Sequence, residues 1–345
     1  MTGREALTAK CRTMKGRLLS KDQYLALAAR QSLPDAVAFL ASTEGYSKIF
    51  ADVDPNRVHR ARLEQLLERN IVDAYSKLYT FTSGSEREFF GLLIEEFTIT
   101  CLLDAIRATE YDDSMDFYHV PNFIREHSAI DFSRIFRTDS RDEILAALSG
   151  TEYHETLEGM IDGSFEDIES ALLRAYYKKL VKKTGKLFSG VEQKEILGAI
   201  HAKIDIINIS IILRTRRFRA LDEGRENVRL DVTEVFPRLI PIFGKFRESD
   251  IKDLCAADLT VDQTMAGYLT RMRRSPDELD EKTSTGEYGT RLIYANSKKL
   301  SRGSTLACAL GFLTLLRVEC DNLIYILEAI RYGIPAERIV PKIIV

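Results

Sequence analysis

The sequence lacks the motifs by which proteins hold nucleotides. It contains no phosphate-binding loop of the form GxxxxGK[ST], and its glycines are scattered rather than arranged as GxGxxG before a helix. Tryptophan is absent, and there are only eight prolines. We therefore expect this chain to bind no nucleotide and no other cofactor.

Catalytic and metal-binding patterns are missing as well. The five histidines are far apart and form neither HExxH nor a Cys/His spacing typical of zinc, and no GxSxG motif occurs. The five cysteines lack CxxC spacing, which suits a reducing cytosol where single cysteines behave as small buried hydrophobes. We predict no catalytic residue, no metal site and no disulfide.

Charge and hydropathy exclude two further classes of protein. A formal net charge of −3 predicts no general attraction to nucleic acid. The N-terminus is charged throughout, unlike a signal peptide, and the apolar stretch 305–318 is shorter than the roughly 20 residues that cross a bilayer. We expect a soluble chain with no transmembrane segment of its own, although it can sit against a membrane complex.

Helix-forming sequence, in contrast, is abundant. Ser20, Ser32 and Asp54 with Pro55 stand before runs of helical period, as residues at helix N-termini do. No sustained alternation of apolar and polar residues suggests strands. With 45% hydrophobic residues the chain can bury a large core, and we predict an all-α fold.

One helical signature occurs three times, about 110 residues apart, as in repeat proteins. Each copy has an acid, a polar residue one turn later and an arginine further along, namely Glu95, Thr98 and Arg107; Asp205, Asn208 and Arg217; and Glu319, Asn322 and Arg331. A branched aliphatic residue and a proline follow each copy, at 120–121, 240–241 and 340–341. We also find that segment 32–46 recurs at 140–153. These recurrences predict three related helical domains, 1–115, 116–236 and 237–345.

The middle signature helix is apolar nearly all round, so we expect it to be largely buried. Asp205 and Asn208 are neighbours on it, and a buried carboxylate needs a partner. Arg217 cannot be that partner within one helix, because it lies about 18 Å further along the axis. We favour a structural interpretation, in which the acid and the amide bind adjacent helix ends and the arginine lies in the last turn, at the negative end of the helix dipole.

Clusters of arginine offer a second kind of candidate. They are solvated helix ends in one interpretation and contacts to an acidic partner in the other. The candidates for partner binding are Arg214, Arg216, Arg217, Arg271, Arg273 and Arg274.

The signature, together with the N-terminal sequence KGRLLSKDQYLALAARQSLPDAVAFLASTEGY, resembles the C subunit of prokaryotic V-type or A-type ATPases, which is similar to the d subunit of the eukaryotic V-ATPase. That family carries an SL-x-x-A-x-x-x-L helix, matched here from Ser32 to Leu40, and repeated E/D-x-x-N-[IL]-x-x-[IL]-L-R helices, matched from Asp205. Asp104 and Glu328 replace Arg214 in the first and third copies, so this position cannot form a symmetric ring of arginines.

The resemblance implies an all-helical funnel of three pseudo-threefold-related domains around a central cavity. It also implies a non-catalytic central-stalk subunit, one copy per complex, held on the cytoplasmic side of the membrane. Such a rotor subunit is a socket that couples the shaft, formed by the D and F subunits, to the membrane proteolipid ring (the c-ring) in ATP-linked transport of protons or sodium ions. The alternative is a generic helical-repeat scaffold for unrelated partners. Ion specificity, the direction of the reaction and the roles of the two rims stay open.

Overall fold

The computed structural model describes residues 3–54, 56–58, 60–111, 120–271 and 285–345. Within these ranges the regular structure is helical, and the only extended pairing is an isolated bridge between Val228 and Leu259. The predicted all-α fold class is confirmed.

Eighteen α-helices and two 3-10 turns make up this part of the chain. The helices of the first half are α1 (Gly3–Lys15), α2 (Lys21–Ala28), α3 (Leu33–Ala41), α4 (Ser47–Phe50), α5 (Arg60–Tyr79), α6 (Gly84–Tyr111), α7 (Asn122–His127), α8 (Phe132–Ile135), α9 (Arg141–Ala147) and α10 (Glu152–Leu157). Those of the second half are α11 (Phe165–Leu187), α12 (Gly190–Glu223), α13 (Val232–Val235), α14 (Glu248–Ala256), α15 (Val261–Arg271), α16 (Thr285–Leu300), α17 (Thr305–Arg331) and α18 (Ala336–Ile339). The 3-10 turns are Phe236–Arg238 and Val340–Lys342.

The predicted helix starts hold at two of three places. Ser20 caps α2 by accepting the N–H of Gln23, whose side chain accepts the Ser20 N–H in return. Ser32 caps α3 with proline in the first turn. The third prediction is wrong, because α5 begins at Arg60 and Asp54 instead accepts a hydrogen bond within a local turn that precedes the helix.

The chain folds into two compact units. Unit 1 combines residues 1–87 with 290–345, and unit 2 comprises residues 88–289. The limits of the units fall within α6 and α16, so unit 1 joins the two ends of the chain. The division into three domains, 1–115, 116–236 and 237–345, stays a prediction.

The core of unit 1 is α17, which packs against α1 and α5. Most of α17 between Leu306 and Ile330 is buried. The helix ends at the predicted glycine, because Gly333 adopts a φ of 66° and the Ile334 N–H donates back to the Ala329 carbonyl at 2.9 Å. The third signature helix is therefore the central element of its unit.

The core of unit 2 is α12, which packs against α11 and α15. Its isoleucines at 196, 200, 204 and 211 are buried, which confirms the predicted burial of the middle signature helix. Of the helices in the described residues, α12 alone is long and apolar enough to cross a membrane, and 56% of its apolar window is buried within the protein. A core helix of a soluble protein has the same properties.

Candidate functional site

Asp205 and Asn208 pin a loop to the buried face of α12. The Asp205 carboxylate accepts the N–H groups of Gly244 and Lys245, each at 2.8 Å. The Asn208 side chain donates to the carbonyl of Ile240 at 3.0 Å and accepts the N–H of the same residue at 2.9 Å. Both polar side chains are thus satisfied by main-chain groups of one loop.

Glu319 occupies the equivalent place on α17 and has different partners. Its carboxylate accepts the Leu19 N–H at 2.7 Å, the Tyr24 hydroxyl at 3.2 Å and the Tyr46 hydroxyl at 2.7 Å. These three groups come from the N-terminal segment of the chain. The buried acid therefore links α2 and the end of the recurring segment 32–46 to α17.

Asn322 repeats the geometry of Asn208. Its side chain donates to the Ile344 carbonyl at 2.8 Å and accepts the Ile344 N–H at 3.0 Å. The pairing with one isoleucine backbone is therefore common to the middle and last copies. The predicted partners, adjacent helix ends, are wrong for both amides, because loop residues supply the hydrogen bonds.

The asparagine contacts also correct the position of the proline that follows each copy. Ile240 lies two residues after the 3-10 turn Phe236–Arg238, and Ile344 lies two residues after the 3-10 turn Val340–Lys342. The structural counterpart of Pro341 is therefore Pro237 rather than Pro241. Each proline stands in the first turn of its 3-10 helix, where a missing N–H is tolerated.

Burial opposes ionisation of both acids. Burial raises the pKa of Glu319 to about 7, although its three hydrogen bonds favour the ionised form. Burial also raises the pKa of Asp205, against the opposing effect of the two N–H donors. In the described residues, neither carboxylate accepts a hydrogen bond from an arginine or lysine side chain, so burial dominates in both.

The first copy departs from this arrangement. Thr98 stands where the other copies have asparagine, and its buried hydroxyl lacks a hydrogen-bond partner among the described residues. The Glu95 carboxylate accepts hydrogen bonds from the Lys179 ammonium at 3.0 Å and from the Tyr153 hydroxyl at 3.4 Å. Burial raises the pKa of Glu95, while the ion pair with Lys179 lowers it. The first copy thus keeps the acid and loses the amide.

The prediction for the signature arginines holds for the third copy. Arg331 is the last residue of α17 and donates to the Val58 carbonyl at 3.1 Å and to the Glu328 carboxylate at 3.2 Å. The prediction is wrong for Arg107 and Arg217, because α6 and α12 continue beyond them. Arg107 lies over the ring of Phe165, with 4.3 Å between the guanidinium carbon and the ring centroid.

Arg216 is buried, contrary to its predicted role as a partner contact. Its guanidinium donates to the carbonyls of Leu254 at 2.6 Å, Leu259 at 2.9 Å and Ala257 at 3.2 Å, and also to Val228. Burial lowers its pKa. With no exposed surface, Arg216 serves the core of unit 2 by joining carbonyl groups of α14 and of two loops around one buried guanidinium.

Arg214 and Arg217 remain exposed on α12. The Arg214 guanidinium lies 3.8 Å from the Glu169 carboxylate, a loose pair in contact with solvent. The other predicted contacts are Arg271, Arg273 and Arg274. Arg273 and Arg274 lie outside the described residues, and so does the side chain of Arg271. Their role as partner contacts stays a prediction.

Comparison with known proteins decides the family. A profile described as "ATP synthase (C/AC39) subunit" matches residues 7–341. The chain belongs to this family. Family membership makes it a subunit of a V-type or A-type ATPase and confirms the resemblance found in the sequence.

Archaeal members of the family are similar along nearly the whole chain. The C subunit of the A-type ATP synthase of Thermococcus onnurineus is 26% identical over 96% of this chain and 87% of its own length. The C subunit of the A-type ATP synthase of Archaeoglobus fulgidus is 23% identical over 98% of this chain and 95% of its own length. That of Desulfurococcus is 25% identical over 96% and 88%.

Sequence analysis missed the tyrosines that donate hydrogen bonds to two of the signature acids. Tyr46 ends the segment 32–46 and binds Glu319, while Tyr153 ends the recurrence 140–153 and binds Glu95. The shared final tyrosine of the two segments was a usable signal. Gly244 was missed too, since a Cβ there would lie 2.6 Å from the Asp205 carboxylate.

Among the described residues, no group of three or more histidine, cysteine, aspartate or glutamate side chains is placed to hold a metal ion. The buried acids instead serve as acceptors within the fold. The candidate site is accordingly a set of structural polar pairs with one exposed arginine-bearing helix end.

Proposed function

We propose that this chain is the non-catalytic central-stalk subunit of a rotary V-type or A-type ATPase. In this role it is a socket that couples the shaft, formed by the D and F subunits, to the membrane c-ring during ATP-linked transport of protons or sodium ions. The observation that carries the proposal is the family match from residue 7 to residue 341. The names of the archaeal relatives, each the C subunit of an A-type ATP synthase, support it.

The polar pairs suit a part that transmits torque. Close-packed interiors deform little under load, and a hydrogen-bonded pair between a helix and a loop resists sliding of one along the other. Asn208 and Asn322 each make two such bonds to one isoleucine backbone. Stiffness within each unit is the property that a mechanical adaptor requires.

The repeat supports the proposed set of three pseudo-threefold-related helical domains around a central cavity. Glu319 binds the tyrosine of segment 32–46, and Glu95 binds the tyrosine of segment 140–153. Asp205 and Arg216 bind the segment from Gly244 to Leu259. Each signature helix therefore has its own partner segment, and the N-terminal segment is the partner of the last signature helix.

The proposed setting is peripheral attachment to the cytoplasmic side of the membrane complex, with one copy of the chain in each complex. The exposed Arg214 and Arg217 remain candidates for contact with an acidic partner, together with Arg271, Arg273 and Arg274. Arg216 is left out of this set because it is buried.

The test is reconstitution with purified components. The full chain is mixed with the D–F heterodimer of the same organism and then with the detergent-solubilised c-ring, and complexes are separated by size-exclusion chromatography. A ternary complex with one copy of the chain is expected. Failure of folded, helical protein to bind either component contradicts the proposal and favours a helical scaffold for unrelated partners.

A further inference from the structure

The C-terminal end of α12 exposes two large apolar side chains. Phe218 is 72% exposed and Leu221 is 78% exposed. They are three residues apart and therefore lie on one face of the helix. The last buried residue of α12 is Arg216, so the turns that follow extend beyond the packed core of unit 2. Burial within this unit does not explain either side chain.

Two arginines share that face. Arg214, Arg217, Phe218 and Leu221 follow the spacing i, i+3, i+4 and i+7, which places them in one stripe. We call these four residues the α12 stripe. Arg219, in contrast, lies off this stripe and is paired with the carboxylate of Glu234. The stripe thus combines apolar area with two exposed guanidinium groups and carries no acidic residue.

We propose that the α12 stripe docks an acidic amphipathic helix of a partner protein in the complex. Phe218 and Leu221 would pack into the apolar seam of that helix, and carboxylates beside the seam would pair with Arg214 and Arg217. The inference rests on the proposed function, which supplies the partner, and it assigns the docked helix to the D–F shaft.

A protein helix suits the stripe better than a membrane surface does. An apolar pair one turn apart matches the ridge of a second helix. Anionic lipid would attract the two arginines but repel Asp222, which lies exposed beside the stripe on the same turn. A partner helix can place its carboxylates against the arginines alone.

The experiment measures the affinity of the full chain for the purified D–F heterodimer by calorimetry, at low and at high salt. We expect Leu221→Asp and the double variant Arg214→Glu, Arg217→Glu each to weaken binding by about tenfold or more. The charge-reversed variant should also lose most of the salt dependence. Val191→Asp is the matched control, because Val191 is 71% exposed at the other end of α12 and should bind as the parent chain does. Circular dichroism verifies that every variant is folded.

The possible outcomes separate the inference from the proposed function. If the parent chain binds D–F and the stripe variants bind equally well, the stripe is not the docking surface, while the proposed function stands. If the folded parent chain binds neither D–F nor the c-ring, both are overturned. The parent chain is also tested for binding to vesicles with about 30% phosphatidylserine, since anionic lipid attracts basic residues near the surface. If the stripe variants lose vesicle binding and keep D–F binding, the stripe is a lipid contact and the inference is overturned.

Discussion

The acid–amide pairs of the two units have the same spacing and half of their contacts in common. In unit 2, Asn208 binds one isoleucine backbone and Asp205 binds two N–H groups of the same loop. In unit 1, Asn322 binds an isoleucine backbone in the same way, but Glu319 binds two tyrosine hydroxyls and one N–H. The amide's role is repeated, whereas the role of the acid is particular to each unit.

The difference matters for protonation. Main-chain N–H groups can only donate, so the Asp205 site requires an acceptor at both oxygens. A tyrosine hydroxyl can donate or accept, so the Glu319 site tolerates a carboxylic acid or an amide. One repeated helix position can therefore require an acceptor at both carboxylate oxygens or accommodate a protonated acid, depending on which segment covers it.

The largest expected effect comes from making unit 2 resemble unit 1 at Arg216. The repeat places Ile330, a buried residue of α17, at the equivalent position. We predict that Arg216→Ile lowers the free energy of unfolding by about 3–5 kcal/mol, because several carbonyl groups lose their donors. Urea denaturation followed by circular dichroism measures the change.

The control for that variant is Arg214→Ile on the same helix. Arg214 is exposed, and its contact with Glu169 is loose, so the urea midpoint should stay close to that of the parent chain. Equal midpoints for the two variants would contradict the structural role of Arg216.

The next largest effect tests the contacts that the two units share, those of the asparagine with an isoleucine backbone. Asn208→Ala and Asn322→Ala each remove two hydrogen bonds and leave a buried isoleucine N–H without its partner. We predict a loss of about 2–4 kcal/mol in each case. Similar losses measured by urea denaturation would support equivalent roles for the two asparagines. A neutral result at either position would show that the two pairings do not contribute equally to stability.

The third prediction concerns the pH dependence of stability that Glu319 causes, since the partners of the acid differ between the two units. Since the pKa of Glu319 is about 7 in the folded chain and its ordinary value is 4.5, the folded state keeps a proton that the unfolded state releases. Its contribution to stability is complete below about pH 4.5 and is lost as the pH rises to about 7, by about 3 kcal/mol. Glu319→Gln should flatten this part of the stability profile.

The comparison of profiles isolates Glu319 from other acids. Asp205 also has a raised pKa and adds a slope of the same sign, so the parent chain and Glu319→Gln are measured side by side from about pH 4 to about pH 8, which spans both values. Asp205→Asn should instead lower stability throughout, because an amide nitrogen would face an N–H donor. Parallel profiles for the parent chain and Glu319→Gln would rule out titration of Glu319 in this range.

Much of this architecture could be predicted from local sequence. The N-caps at Ser20 and Ser32, the burial of the middle signature helix and the stop at Gly333 each depend on neighbouring residues, and all were confirmed. The need of Asp205 for a buried partner followed from the cost of an unpaired carboxylate.

The remaining features depend on contacts between distant segments. Nothing near Glu319 in the chain shows that it is covered by Tyr24 and Tyr46, which are 295 and 273 residues away. Likewise, spacing alone could not show that Arg216 faces the core while Arg217 faces solvent. A one-residue step on a helix turns a side chain by about 100°, so adjacent arginines acquire opposite roles once the helix is packed.

The smallest effect is expected in the first copy of the signature, which has a threonine in place of the asparagine. Thr98 is buried and its hydroxyl has no hydrogen-bond partner among the described residues, so the hydroxyl contributes a desolvation cost without a compensating bond. We predict that Thr98→Val, which keeps the shape, leaves stability unchanged or raises it by up to about 1 kcal/mol. The matched control is Thr264→Val, since the Thr264 hydroxyl is equally buried but donates to the Thr260 carbonyl at 2.7 Å, and its loss should cost about 1 kcal/mol. If Thr98→Val proved the more damaging of the two in urea denaturation, the first copy would have a polar contact like those of Asn208 and Asn322, and the difference between the copies would disappear.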